Sequence, residues 1–111
     1  MKRADYPAVR VGERNKLFFN AYCDALFTKR GVQIRYDTWT VTFIPTDTLA
    51  PEKRSLPIKA NAVKSGSGFS VFARFEIEYL GLKERERYRL YPSEQYPGGW
   101  YMKRGEQDAK S

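Results

Sequence analysis

Apolar and polar positions along this chain recur with two different periods. Between Gly12 and Gly31, Phe18, Ala21, Tyr22, Ala25 and Leu26 fall at i, i+3, i+4, i+7 and i+8, one face of an amphipathic helix. Leu17, Phe19, Cys23 and Phe27 widen that face. Glu13 in the first turn, Lys29 and Arg30 in the last, and Gly31 as a left-handed stop agree with the dipole and C-cap preferences, so the pattern predicts a helix over 12–30.

After Gly31 the period becomes two. Val32, Ile34 and Tyr36 alternate with Gln33 and Arg35; Trp39, Val41 and Phe43 then alternate with Thr38, Thr40 and Thr42. The apolar parity flips across Asp37 and Thr38, which requires a bulge or a tight turn, and the absence of glycine favours the bulge. A polar loop over 45–55 precedes a strand with Leu56, Ile58, Ala60 and Ala62 on one face, and the Lys64–Gly68 stretch reads as a turn. The longest alternation follows, with Phe69, Val71, Ala73, Phe75, Ile77 and Tyr79 on one side. Residues 84–91 form a further strand, and Trp100, Tyr101 and Met102 another after the Pro97-Gly98-Gly99 turn.

These elements predict an α+β fold in which an N-terminal helix packs on one face of a four- to five-stranded antiparallel meander. The expected organisation is one domain over 1–111: a basic N-terminal arm at 1–11, the helix at 12–30, the antiparallel sheet over 32–102 and a polar tail at 103–111. Taking Gly81-Leu82 as a two-residue hairpin turn opposes Glu78 to Arg85, Glu76 to Arg87, Arg74 to Arg89 and Phe72 to Tyr91. In that register two of the three arginines at 85, 87 and 89 face carboxylates, whereas Arg74 and Arg89 face each other. Like charges directly opposed are destabilising unless water or an anion intervenes.

Composition narrows the chemistry. The chain has 111 residues, a formal net charge of +7, no histidine and a single cysteine. That excludes Ser-His and Cys-His nucleophilic pairs and an internal disulfide framework, and leaves few transition-metal ligands. Cys23 lies on the apolar side of the expected helix, where a structural thiol is the usual reading. The acids Glu76, Glu78, Glu84 and Glu86 are committed to pairing or to strand ends, so no catalytic pair, metal site or cofactor is expected, and a small metal-dependent nuclease is the weakest of the readings. Met1–Arg10 lacks the apolar core of a secretory signal, which points to the cytoplasm and to no membrane partner.

The positive charge concentrates in residues 1–31, including Arg3, Arg10 and Arg14. The expected function is therefore a non-catalytic binding module engaging nucleic acid, or a nucleic-acid-bound protein complex, through Arg74, Arg89, Phe72 and Tyr91, assisted by Arg3, Arg10 and Arg14. The alternative is a small accessory or inhibitor protein of the phage or plasmid kind. It would dock onto a host protein or nucleoprotein machine through the aromatic 91–101 loop, with Tyr96, Trp100 and Tyr101 as anchors.

Overall fold

A computed structural model describes residues 6–60 and 68–106. The chain folds as two antiparallel sheets, and the expected N-terminal helix on a single meander is not formed. The first residues after Pro7 make strand β1 (Ala8–Val11), which turns back into β2 (Lys16–Phe19), with Val9 opposite Phe19 and Val11 opposite Leu17. The reversal is possible because Arg14 and Asn15 adopt left-handed backbone conformations (φ 59° and 61°), and the Gly12 N–H donates to the Lys16 carbonyl. Leu-Phe-Phe at 17–19 fits either period; here Leu17 and Phe19 point inward and Phe18 outward. The helical spacing survives only locally, as a 3-10 turn at Ala21–Cys23 and the bonds from Leu26 and Phe27 N–H to the Cys23 carbonyl. Gly31 is not a helix stop. It opens β3 (Gly31–Tyr36), where a side chain would strike the Leu56 carbonyl at 2.6 Å.

β3 forms a hairpin with β4 (Thr40–Thr46), pairing Tyr36 with Val41, so Asp37–Thr40 is a tight turn and not a bulge. β5 (Ser55–Pro57) pairs with β3, and β6 (Lys59–Ala60) with β7 (Phe69–Phe72). The long alternation from Phe69 ends at Ala73, whose carbonyl accepts from Ile77 N–H, and Arg74–Leu80 is the helix α1. Its helical logic is an Arg74–Glu78 pair and a Phe75–Tyr79 stack, both at i,i+4, with Gly81 (φ 69°) as the left-handed C-cap. Gly81 therefore ends a helix, and the hairpin expected there does not exist. β8 (Arg87–Arg89) pairs with β1 instead. β9 (Tyr91–Pro92) and β10 (Trp100–Lys103) then join the second sheet.

The sheet orders are β6-β7-β2-β1-β8 and β5-β3-β4-β10-β9. β5 runs on into β6 past Ile58, and β8 into β9 past Leu90, so at two corners a bent strand passes from one sheet to the other. Among the described residues the ladder therefore closes into a flattened barrel of eight strand positions, which removes the exposed edges an open sheet would leave. One continuous core fills it, with Val9, Leu17, Phe19, Phe69 and Tyr88 from the first sheet meeting Val32, Ile34, Val41, Phe43 and Met102 from the second. The 20–30 connection adds Cys23 and Phe27, with the Phe27 ring 5.4 Å from Phe19 and 5.5 Å from Phe69.

α1 lies at the opposite end of the first sheet and contributes Ile77 and the buried Glu76. The Glu76 carboxylate is 1% exposed and is held bidentately by Arg54, with Nε to Oε2 and Nη2 to Oε1 both 2.6 Å. Removing only the guanidinium leaves a buried unpaired charge, which costs far more than removing both partners. Arg54→Met is expected to lower the unfolding free energy by about 3 kcal/mol, and Arg54→Met combined with Glu76→Leu to recover most of the loss, both read by urea denaturation.

Candidate functional site: the outer face of β2, β1, β8 and β10

Strand alternation decides which side chains leave the core. Val9 and Val11, Leu17 and Phe19, and Tyr88 and Leu90 point in, so Arg10, Lys16, Phe18, Arg87, Arg89 and Tyr91 point out. The β1–β8 register sets Arg10 directly opposite Arg87 and Ala8 opposite Arg89. The Arg10 guanidinium lies 4.9 Å from the centre of the Phe18 ring. Phe18 itself seats against Gly12, where a Cβ would stand 2.1 Å from its Cε2. Arg89 sits between two rings, 4.2 Å from Tyr6 and 5.4 Å from Tyr91. Around the Leu90 corner, Tyr91 lies 5.6 Å from Tyr101 and carries Lys103 Nζ at 4.8 Å.

Among the described residues the ion pairs are Arg54–Glu76, Arg74–Glu78 and Lys103–Glu106, the last a long contact of 3.8 Å. None involves Lys16, Arg10, Arg87 or Arg89. On β2, β1 and β8 this face therefore carries cations and aromatic rings with no ion pair among the described residues, and two of its guanidinium groups are opposed in register.

The expected Arg74–Arg89 opposition is absent. Arg74 lies on α1 and pairs with Glu78 of its own helix at 3.1 Å, whereas Arg89 lies on β8. Phe72 and Tyr91 are likewise apart: Phe72 pairs with Lys16 in the first sheet and Tyr91 with Tyr101 in the second. Arg10 belongs to the face, and Arg14 is exposed in the β1–β2 turn beside it. Arg3 lies outside the described residues. Tyr101 joins the face through Tyr91, but Trp100 packs against the core and Tyr96 sits beneath the Arg35 guanidinium. The 93–99 connection is a closed turn, tied by Ser93 N–H to the Gly99 carbonyl and Gly99 N–H to the Tyr96 carbonyl.

Three contributors escaped the reading of the sequence. The sequence pattern sets Arg87 opposite Glu76, which the helix takes away. It places Phe18 on a helix face, whereas Phe18 lies on β2. Trp39, placed on the apolar side of a strand, is 75% exposed at the tip of the β3–β4 turn. Hydrogen bonds tie that tip: Asp37 Oδ1 accepts from the N–H groups of Trp39 and Thr40, both at 2.8 Å, and Arg104 Nη1 donates to the Asp37 and Thr38 carbonyls. The two backbone donors hold the Asp37 carboxyl below its ordinary range. A groove of about 840 Å³ runs from Trp39 past Tyr101 and Lys103 to Pro92.

No family model matches the chain, and no significant match was found to a curated protein or to a solved structure. No described helix is long and apolar enough to cross a membrane. The described residues hold no group of three or more potential metal ligands of the His, Cys, Asp and Glu types.

The Cys23 thiol is buried, donates to Asn20 Oδ1 at 3.4 Å, and is pushed up to about 12 chiefly by desolvation. Its folded value exceeds its unfolded one, so the stabilisation it brings is complete below about 9 and fades as pH rises towards 12. Native protein at pH 8 is expected to resist a thiol-specific chromogenic reagent until denaturant is added. Cys23→Ala should flatten the loss of stability across that alkaline window, measured by denaturation at stepped pH.

Proposed function

We propose that this protein is a non-catalytic binding module that engages nucleic acid, or a nucleic-acid-bound protein complex, through the outer face of β2, β1 and β8. The observation that carries the reading is the register pair Arg10–Arg87, two opposed guanidinium groups that make no ion pair with any acid of the described residues. Such a pair costs up to about 1 kcal/mol in a lone hairpin, and a polyanion bound across it turns the cost into affinity. Lys16 and Arg89 extend the charge to either side, and Phe18 and Tyr6 supply rings beneath the guanidinium planes. Phosphates bind such a surface by releasing condensed counterions, without reading sequence. The reading also assigns the protein to the cytoplasm, where a lone thiol such as Cys23 stays reduced.

A specific observation favours a second reading, an accessory or inhibitor protein that docks onto another protein. Tyr36, Phe72, Phe75 and Tyr79 form an exposed aromatic shelf around α1. Phe75 stacks on Tyr79 at 5.5 Å, Tyr36 lies 5.6 Å from Tyr79, and Phe72 and Tyr79 are 57% and 66% exposed. Arg54 and Arg74 border it, each already paired with a glutamate, so its partner would present chiefly apolar side chains.

Two measurements separate the readings. For nucleic acid, affinity for an arbitrary oligonucleotide of about 15 nucleotides should fall linearly on a log–log salt plot, with Arg10→Ala and Arg87→Ala each lowering the slope by about 1. No binding at low salt would discard the reading. For docking, a photoreactive group at position 79 should crosslink one host protein in stoichiometric yield, and Phe75→Ser should abolish the product while the melting curve is retained. Crosslinking that ignores Phe75→Ser would remove the shelf from consideration.

A further inference from the structure

The cationic face does not stop at β8. Because Leu90 points inward at the corner, the outward alternation of β8 passes unbroken into β9, and Arg87, Arg89 and Tyr91 form one row across both sheets. Phe18 and Arg10 flank that row on one side; Tyr101 and Lys103 flank it on the other. Beyond them stands Trp39. Rings and cations alternate in two clusters along this path, Phe18 with Arg10 and Tyr6–Arg89–Tyr91 with Tyr101 and Lys103, at separations between 4.2 and 5.6 Å.

We propose, building on the nucleic-acid reading above, that the ligand is a single strand. Its bases stack along this cation–aromatic track, from Phe18 over Arg10, Arg89 and Tyr91 to Tyr101 and Trp39. A duplex hides its base faces within its own stack and offers mainly phosphates to a surface, so the rings would have nothing to bind. A rigid duplex also meets the convex outside of a barrel along a narrow band, whereas a single strand follows the bend at Leu90. The Arg10 guanidinium, held over Phe18 alone, leaves its other plane for a base, since bases stack on arginine planes as well as on aromatic rings, and Arg89 between Tyr6 and Tyr91 meets the phosphate beside them. Phe18 to Tyr101 crosses three strand intervals and runs four residues along β8 and β9, about 20 Å in all, which accommodates about four extended nucleotides, the lower end of the range for a small barrel. The groove beside Trp39 takes a base and not a phosphate, because Glu94 and Glu106 line it.

The test compares a labelled oligothymidine of about 12 nucleotides with a blunt duplex of equal length at one salt concentration, by fluorescence anisotropy and tryptophan emission. The single strand should bind at least about tenfold more tightly and quench emission, and Trp39→Phe should remove the quench. Tyr91→Leu should weaken single-strand binding by about tenfold without changing the salt slope, and Tyr91→Phe should restore it. Tyr101→Leu serves as a second variant if Tyr91→Leu fails to fold. Equal or tighter duplex binding overturns the single-strand assignment and leaves the nucleic-acid reading standing, as does a folded Tyr91→Leu protein within about twofold of wild type. Failure to bind either form overturns both.

Discussion

The structure depends on closure of the hydrogen-bond ladder at two corners. At Leu90 the N–H still bonds to the Pro7 carbonyl in line with β1, while the next residue, Tyr91, already pairs with Tyr101 of β10. At Ile58 the N–H bonds to the Arg30 carbonyl between the pairings of β5 and β6. A barrel of this size buries every inward side chain, so the parity of each strand is dictated by its apolar residues. Tyr88 and Leu90 must enter the core, and Arg87, Arg89 and Tyr91 have no choice but to leave it.

The two barrel ends differ in character. The 20–30 connection fills one with Cys23 and Phe27, the Phe27 ring tilted against Phe19 and Phe69. α1 closes the other through Ile77 and the Arg54–Glu76 pair, and its remaining face exposes Phe75 and Tyr79. The two surfaces proposed for binding share no residue, a cationic outer face near the Leu90 corner and an aromatic shelf around α1. The proposal of a polyanion ligand rests on the first, where Lys16, Arg10, Arg87 and Arg89 make no ion pair among the described residues.

Much of the second sheet was legible in the order of residues. Val32, Ile34, Val41 and Phe43 alternate as they read, because strands buried on one face leave a period of two. The helix assignment at 12–30 failed because Leu-Phe-Phe and the Ala-Tyr-Cys turn satisfy a 3.6-residue spacing by short-range coincidence. Two consecutive left-handed residues, Arg14 and Asn15, are not a signal that propensity predicts. At 74–80 the error ran the other way: an alternation true up to Ala73 was extended over a segment whose i,i+4 pairs and terminal glycine mark a helix. Pairings distant in sequence, such as β1 with β8, leave no local trace. The sequence pattern opposes Arg74 to Arg89, whereas the β1–β8 register opposes Arg10 to Arg87, because residues 8–11 form a strand and not an arm.

Backbone amide chemical-shift mapping during titration with a short single-stranded oligonucleotide tests the account most directly. It predicts perturbations concentrated at residues 6–10, 16–18, 39, 87–91 and 101–103, with 72–79 unmoved. Perturbations centred on 72–79, or spread evenly over the barrel, would contradict it.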